Sequence, residues 1–278
     1  MLRDITLGQY YITDSKLHRL DPRVKIAGTM IYIITLFLVK GMLGYLIAAI
    51  FFAVMVKVSR VPFRFMVRGL KAIVSVLIIT GVCNLLFFNG EQKILEYGII
   101  TITLEGIENA ICMTIRLIML ILGTSIMTLT TTPNDLTDGI EKSAGFLERF
   151  RIPVHEIALM MSIALRFIPI LVEETNKIMK AQISRGADFE SGGLIKRVKN
   201  YVPIIVPLFI SAFHRASDLA MAMESRCYRT GKERTKLYPL RYRKSDYMAY
   251  MVIITYLIGM AFMKCILVYN GLNGFWTM

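Results

Sequence analysis

Four cysteines in 278 residues, Cys83, Cys112, Cys227 and Cys265, are too few and too scattered for a disulfide framework. No C-x-x-C or Cys/His cluster accompanies them, so a structural zinc site is not supported, and they read as reduced packing residues. His18, His155 and His214 lie far apart, and none has a metal-ligand spacing such as H-x-x-x-H. Ordinary interfacial histidines are therefore favoured over ligands or bases. A phosphate loop is also missing. The segment TGKERT at 230–235 would need glycine where Arg226 stands and a hydroxyl where Glu233 stands, so the chain encodes no ATP site. Asp188 and Glu190 are close enough in sequence for paired carboxylates, but a solvated acidic edge beside a basic motif is the better reading, and no residue set forms a catalytic group. The N-terminus lacks a basic stretch followed by an apolar one. No cleaved signal peptide is expected, and the first span itself directs insertion.

What is present in quantity is apolar. Hydrophobic residues make up 55% of the chain, and the mean hydropathy of +0.55 exceeds what a soluble surface tolerates. The expected fold is an all-α, polytopic membrane protein. Its formal charge of +13 is compatible with nucleic acid, anionic lipid or cytoplasmic loops. The distribution decides: more than half of the 33 Lys and Arg fall between Pro133 and Asp246, and most others flank apolar runs. That is the pattern of a cytoplasmic, membrane-proximal surface, and no nucleic-acid partner is expected.

In chain order, SKLHRLDPRVKI sets Arg19, Arg23 and Lys25 at the mouth of a helix opened by Pro22. Val24–Val56 is too long for one span and short for two, since ~20 residues cross the hydrocarbon core. Lys40, Gly41 and Gly44 suggest a hairpin between two spans. Lys57, Arg60, Arg64, Arg68 and Lys71 then belong on the side of the N-terminal cations. A third span is expected over about Gly69–Phe88. The acidic 89–109 segment, with Glu91, Glu96, Glu105 and Glu108, reads as external, and a fourth span covers about Ile107–Leu129. Arg116 lies mid-span, either as a gate or, the favoured reading, as a structural arginine bound to a neighbouring helix or snorkelling outward. In TLTTTPND, Asn134 or Asp135 is available to cap the next helix.

Residues 133–245 differ in character. A short amphipathic piece (135–149) and a break at Arg151-Ile152-Pro153 precede two long helices, expected at about 154–187 and 195–228. The first has a stripe at Ile157, Met161, Leu165, Ile168, Val172, Thr175 and Met179. Letting both helices span would put Lys177, Lys180, Arg185, Lys196, Arg197 and Lys199 outside, against the charge rule, so the block is assigned to the cytoplasm. A last span at about Tyr247–Tyr269 leaves the C-terminus external. Five spans result: 1–132 with the first four, 133–245 as a cytoplasmic coupling domain, and 246–278 with the last. Each long helix ends in a related phrase, AQISRGADFE (181–190) and AMESRCYRTG (222–231). Ser184, Arg185 and Gly186 match Ser225, Arg226 and Cys227. An arginine fork at a helix end can enter a partner's groove, or it can simply be a solvated cation near the negative pole of the helix.

These features resemble the transmembrane T component of energy-coupling factor (ECF) transporters, the EcfT family, whose cobalt-specific relatives are called CbiQ. The resemblance covers essentially the whole chain. It rests on SKLHRLDPRVKI, on IPVHEIALMMSIALRFIPIL, and on the paired arginine motifs, which commonly read Ala-Arg-Gly in the family. Cys227 replaces the second glycine, where a left-handed cap is less easy. The resemblance implies a coupling subunit without its own cofactor. It would join two cytoplasmic ABC-type ATPases, which bind ATP and Mg, to a membrane S component that binds a vitamin or metal ion. Arg185 and Arg226 would each enter one ATPase, with stiff helices hinged near Pro169, Pro203, Pro207 or Gly192-Gly193. A T subunit dedicated to one cobalt, nickel or vitamin system is the nearest alternative. A membrane-embedded lipid-modifying enzyme or a channel built on Arg116 is more distant.

Overall fold

The computed structural model describes residues 10–39, 42–71, 73–87, 93–97, 100–189, 193–229 and 239–269. In order these form α1 (Pro22–Leu38), α2 (Met42–Ser59), α3 (Phe63–Lys71), α4 (Val74–Phe87), β1 (Lys93–Tyr97), β2 (Ile100–Thr103), α5 (Leu104–Thr130), α6 (Pro133–Ser143), a 3-10 segment (Ala144–Phe150), α7 (Val154–Ser184), α8 (Leu194–Ser225) and α9 (Lys244–Tyr269). The helix starts follow local chemistry. Asp21 accepts the Arg23 N–H at 3.0 Å ahead of Pro22, and Thr103 accepts the Gly106 N–H at 3.1 Å. At α6 the cap is Thr132, whose hydroxyl accepts from the Asp135 N–H at 3.1 Å while bonding the Asp135 carboxylate at 2.7 Å. The expected caps, Asn134 and Asp135, thus lie inside the helix, and Asp135 answers from the third helical position.

Among the described residues, four helices are long and apolar enough to cross a bilayer, α5, α7, α8 and α9, and five if α3 and α4, bent by 64°, count as one. An all-helical, multi-pass membrane protein fits this inventory. Among the described residues, the β-structure is the antiparallel β1–β2 hairpin, in the segment expected only as an acidic loop. α1 and α2 have 17 and 18 residues, or ~25 Å of helix, and fall just short of the usual spanning length. Lys40 and Gly41 of the expected hairpin lie outside the described residues, and Gly44 lies within α2. The third expected span starts later than Gly69: a separate short helix, α3, occupies its first residues.

The described residues divide into two compact units, one running up to Ser143 and resuming at Leu240, the other lying within Ala144–Pro239. In the first unit, α1 packs on α5, α6 and α9, and α2 and α3 pack on α5. Leu36, Ala48, Met66, Leu122, Ile126 and Tyr256 are among its buried residues. Phe51 of α2 stacks on Tyr256 of α9 at 4.1 Å between centroids, with Tyr32 of α1 alongside. Gly123 permits this arrangement, because a Cβ there would lie 2.4 Å from the Tyr32 ring. α6 belongs to this unit through α1, although the sequence reading grouped it with the segment that follows.

The second unit is a 3-10 segment and two long helices packed together. α8 turns Ile204, Leu208, Ser211, Arg215, Leu219 and Met223 inward, at steps of three and four residues, and leaves its other faces exposed. α7 and α8 run unbroken through Pro169 and through Pro203 and Pro207.

Candidate functional site

α7 stops at Ser184 because the next two residues turn the backbone. Arg185 is the C-cap, and Gly186 takes φ +86°. The Gly186 N–H donates to the Ile183 carbonyl at 2.9 Å and the Ala187 N–H to the Gln182 carbonyl at 3.0 Å, which is the Schellman pattern. α8 ends identically. Arg226 is the C-cap, Cys227 takes φ +55°, the Cys227 N–H donates to Glu224 at 2.8 Å, and the Tyr228 N–H donates to Met223 at 2.9 Å. The expected difficulty at Cys227 is therefore overcome locally: the two closing hydrogen bonds hold a non-glycine residue left-handed, against a cost of about 1 kcal/mol. Both arginines are exposed. The preceding serines bond back into their own helices, Ser184 to Lys180 at 3.1 Å and Ser225 to Ala222 at 3.0 Å. Beyond the first tip, the Asn200 side-chain amide donates to the Asp188 carbonyl at 2.6 Å, and Phe189 packs against Tyr201 at 5.5 Å. Glu190 and Gly192 lie outside the described residues. Gly193 caps α8 with no side-chain hydrogen bond.

The two helices are clamped at one polar contact that sequence reasoning missed. Glu174 of α7 accepts from the Ser211 hydroxyl at 2.5 Å and from the Arg215 guanidinium at 3.0 Å. The Ser211 hydrogen bond, with the Arg215 charge behind it, holds the Glu174 carboxyl below its ordinary range. Glu174 and Arg215 are 41 residues apart, the same interval as Arg185 and Arg226. The clamp therefore stands at equal arm length, ~16 Å of helix, from each arginine. Extending the repeat backwards from the Ser-Arg phrases would have found it. Neither arm, 174–184 or 215–225, contains Pro or Gly. Pro169, Pro203 and Pro207 all precede the clamp, and each lacks the N–H that would bond the carbonyl four residues back. The arms keep every backbone hydrogen bond that a proline would remove, and the prolines all lie on the other side of the clamp.

In the first unit Arg19, Arg23 and Lys25 are each engaged. Arg19 pairs with Asp14. Arg23 pairs with Asp21 at 2.9 Å and lies 3.9 Å over the Tyr242 ring. Lys25 is buried and donates to the carbonyls of His18 at 3.0 Å and Thr130 at 2.8 Å. Burial works against ionisation of Asp21, yet the Arg23 hydrogen bonds prevail and hold its carboxyl below the usual range. Asp246 is fully buried. It accepts from the N–H of Asp21 at 2.9 Å and of Arg243 at 2.6 Å, so one carboxylate closes the starts of both α1 and α9. Arg116 takes the structural role: its Nε donates to the Tyr45 hydroxyl at 2.8 Å, and Nη2 reaches the Val39 carbonyl at the end of α1. Among the described residues, no three His, Cys, Asp or Glu converge as a metal site would require.

These elements define a multi-pass helical membrane protein with a clamped pair of long helices ending in matched arginines. Residues 13–237 match the family model described as CbiQ, cobalt transport protein. Over 250 residues the chain is 50% identical to the energy-coupling factor transporter transmembrane protein EcfT of Clostridium kluyveri, covering 90% of this chain and 93% of that protein. It is 47% identical over 264 residues to the EcfT protein of Ruminiclostridium cellulolyticum, covering 95% and 98%. The Lactococcus lactis EcfT protein is 40% identical over 253 residues, covering 91% and 95%. The chain therefore belongs to the EcfT/CbiQ family of energy-coupling factor transmembrane proteins.

Proposed function

We propose that the chain is the coupling subunit of an ECF-type importer, passing motion from a pair of ABC-type ATPases to a substrate-binding S component. The observation that carries this reading is the twin construction of the tips: the same Schellman turn after Arg185 and Arg226, and the same arm length back to the Glu174–Arg215 clamp. In this mechanism each guanidinium enters a groove on one ATPase, carried there by the fixed backbone turn at its helix end. ATP and Mg belong to those partners. Opening and closing of the ATPase pair displaces the tips, the arms turn about the clamp, and the segments around Pro169, Pro203 and Pro207 flex toward the S component, which then releases a vitamin or metal ion inward. The charge pattern supports a cytoplasmic placement of the N-terminus and 133–245, with the C-terminus external, because Lys177, Lys180, Arg185 and Lys199 then share a side with the other cations.

Co-purification tests the docking. Arg185→Glu with Arg226→Glu is expected to leave the membrane protein folded and to abolish retention of the ATPase pair. Retention at the unmodified level would remove the arginines from the interface.

A further inference from the structure

Between Asp21 and Glu91 the sequence holds no acidic residue at all. Lys57, Arg60, Arg64, Arg68 and Lys71 fall in that interval at steps of three and four. Unlike Arg19, Arg23 and Lys25, which are engaged by partners in the fold, Lys57, Arg60, Arg64 and Lys71 are all exposed. Among the described residues no carboxylate pairs with them. Asp14 is near enough to Arg60 to feel its charge, but its carboxylate is bound by Arg19.

The backbone presents this group deliberately. α2 ends at Ser59, whose hydroxyl bonds back to Val56 at 2.8 Å and accepts the Val61 N–H at 3.3 Å, while Arg60 takes φ +55°. Val61 and Met66 are buried, and Tyr11 packs on Phe65 at 5.0 Å, so one side of α3 is fastened to the unit. Its remaining surface has two tones. Phe63 and Val67, 54% and 38% exposed, lie together on a helical wheel. Arg64 and Lys71 lie on the adjoining sector, ~20° from one another at 100° per residue. The 64° bend takes α3 out of line with the apolar α4. A short helix joining two apolar helices, with an apolar edge beside a cationic one, sits where a bilayer changes from hydrocarbon to headgroup.

We propose that α3 and the end of α2 form a binding site for anionic phospholipid, with Phe63 and Val67 against acyl chain and Arg64, Lys71, Arg60 and Lys57 around headgroup phosphate. The inference rests on the membrane-spanning reading of this unit. A positive-inside signal needs only the charges. It does not need an exposed apolar edge fixed beside them, and that edge favours lipid over an acidic protein.

Replacing the single tryptophan (Trp276→Phe) and placing a reporter by Phe63→Trp allows quenching by brominated lipid to be read in phosphatidylcholine nanodiscs. Either brominated phosphatidylglycerol or brominated phosphatidylcholine is supplied as the same minor fraction. Each cation facing an anionic headgroup shifts lipid exchange about five-fold. Brominated phosphatidylglycerol is therefore expected to quench about two-fold more than brominated phosphatidylcholine, with the excess lost in Arg64→Gln/Lys71→Gln and at high salt. The charge-retaining Arg64→Lys restores the excess when Lys71 is intact. Equal quenching by the two lipids, or an excess that survives the double variant, overturns the proposal. Quenching by neither overturns it too, and additionally marks the membrane reading itself as the failing premise.

Discussion

The two units solve the problem of a helical assembly in opposite ways. The unit of α1–α6 and α9 closes on itself: aromatic rings stack across three helices, and Asp246 and Lys25 satisfy backbone groups at the helix starts and ends. The α7–α8 unit buries little. Among its described apolar residues only Val154, Ala158 and Ile204 are buried, while Phe209 and Phe213 are 70% and 68% exposed. Its most prominent polar contact between the two helices is one carboxylate gripped by a serine and an arginine. A body that must hold its shape fills its interior. A lever needs stiffness along its length and can leave its faces for other molecules to cover.

The largest expected effect sharpens this contrast within the first unit. Asp246→Ala strands one buried and one partly buried N–H group and should lower thermal stability by about 3 kcal/mol, at ~1–3 kcal/mol per unsatisfied group. Asp246→Asn, which keeps acceptor capacity, should lose less. In the second unit, Glu174→Ala removes a partly exposed clamp and should change stability by only ~1 kcal/mol or less. It should nevertheless reduce transport per ATP hydrolysed in the assembled complex. Exchanging the charges, Glu174→Arg with Arg215→Glu, should recover part of that loss. Equal coupling in Glu174→Ala would break the lever account.

The pH dependence of the clamp follows from the lowered Glu174 pKa. Its contribution is fully present above the carboxyl's unfolded value, and it is lost as pH falls through the lower folded value. A spin-label distance across α7 and α8 should therefore stay narrow through the ordinary carboxylate range and broaden only below it. The smallest effects are at the tips. Gly186→Ala should cost about 1 kcal/mol from its left-handed φ alone, since nothing lies within 4 Å of the added methyl. Cys227→Gly should gain about as much, which would make the two ends energetically as well as geometrically alike.

The long helices and their Ser-Arg ends were legible because apolar periodicity over some thirty residues and paired turn phrases are strong local signals. The β1–β2 hairpin was not, since its strands are too short to stand out from the acidic loop around them. α3 was not foreseen as a helix: its start was read only as basic sequence flanking the third span and its last three residues as the start of that span. Glu174 did not stand out among the charges of its helix, because apolar periodicity alone does not say which polar residue of one helix meets which of another; only the 41-residue interval of the Ser-Arg phrases points to it. The turn at Cys227 went against residue preference because hydrogen bonds at a helix end can outweigh it. Arg19, Arg23 and Lys25 looked like one basic patch and are three separate fastenings.

The central claim, that the two tips are docking points for a pair of ATPases, can be read at the tips themselves. Cys227 is an exposed native thiol beside Arg226, and a cysteine replacing Ser184 supplies its counterpart beside Arg185. A water-soluble maleimide should label both positions readily in the isolated protein, and both should be protected in the complex purified with its ATPases. Labelling at an undiminished rate at either position, with the ATPases still bound, would contradict the account.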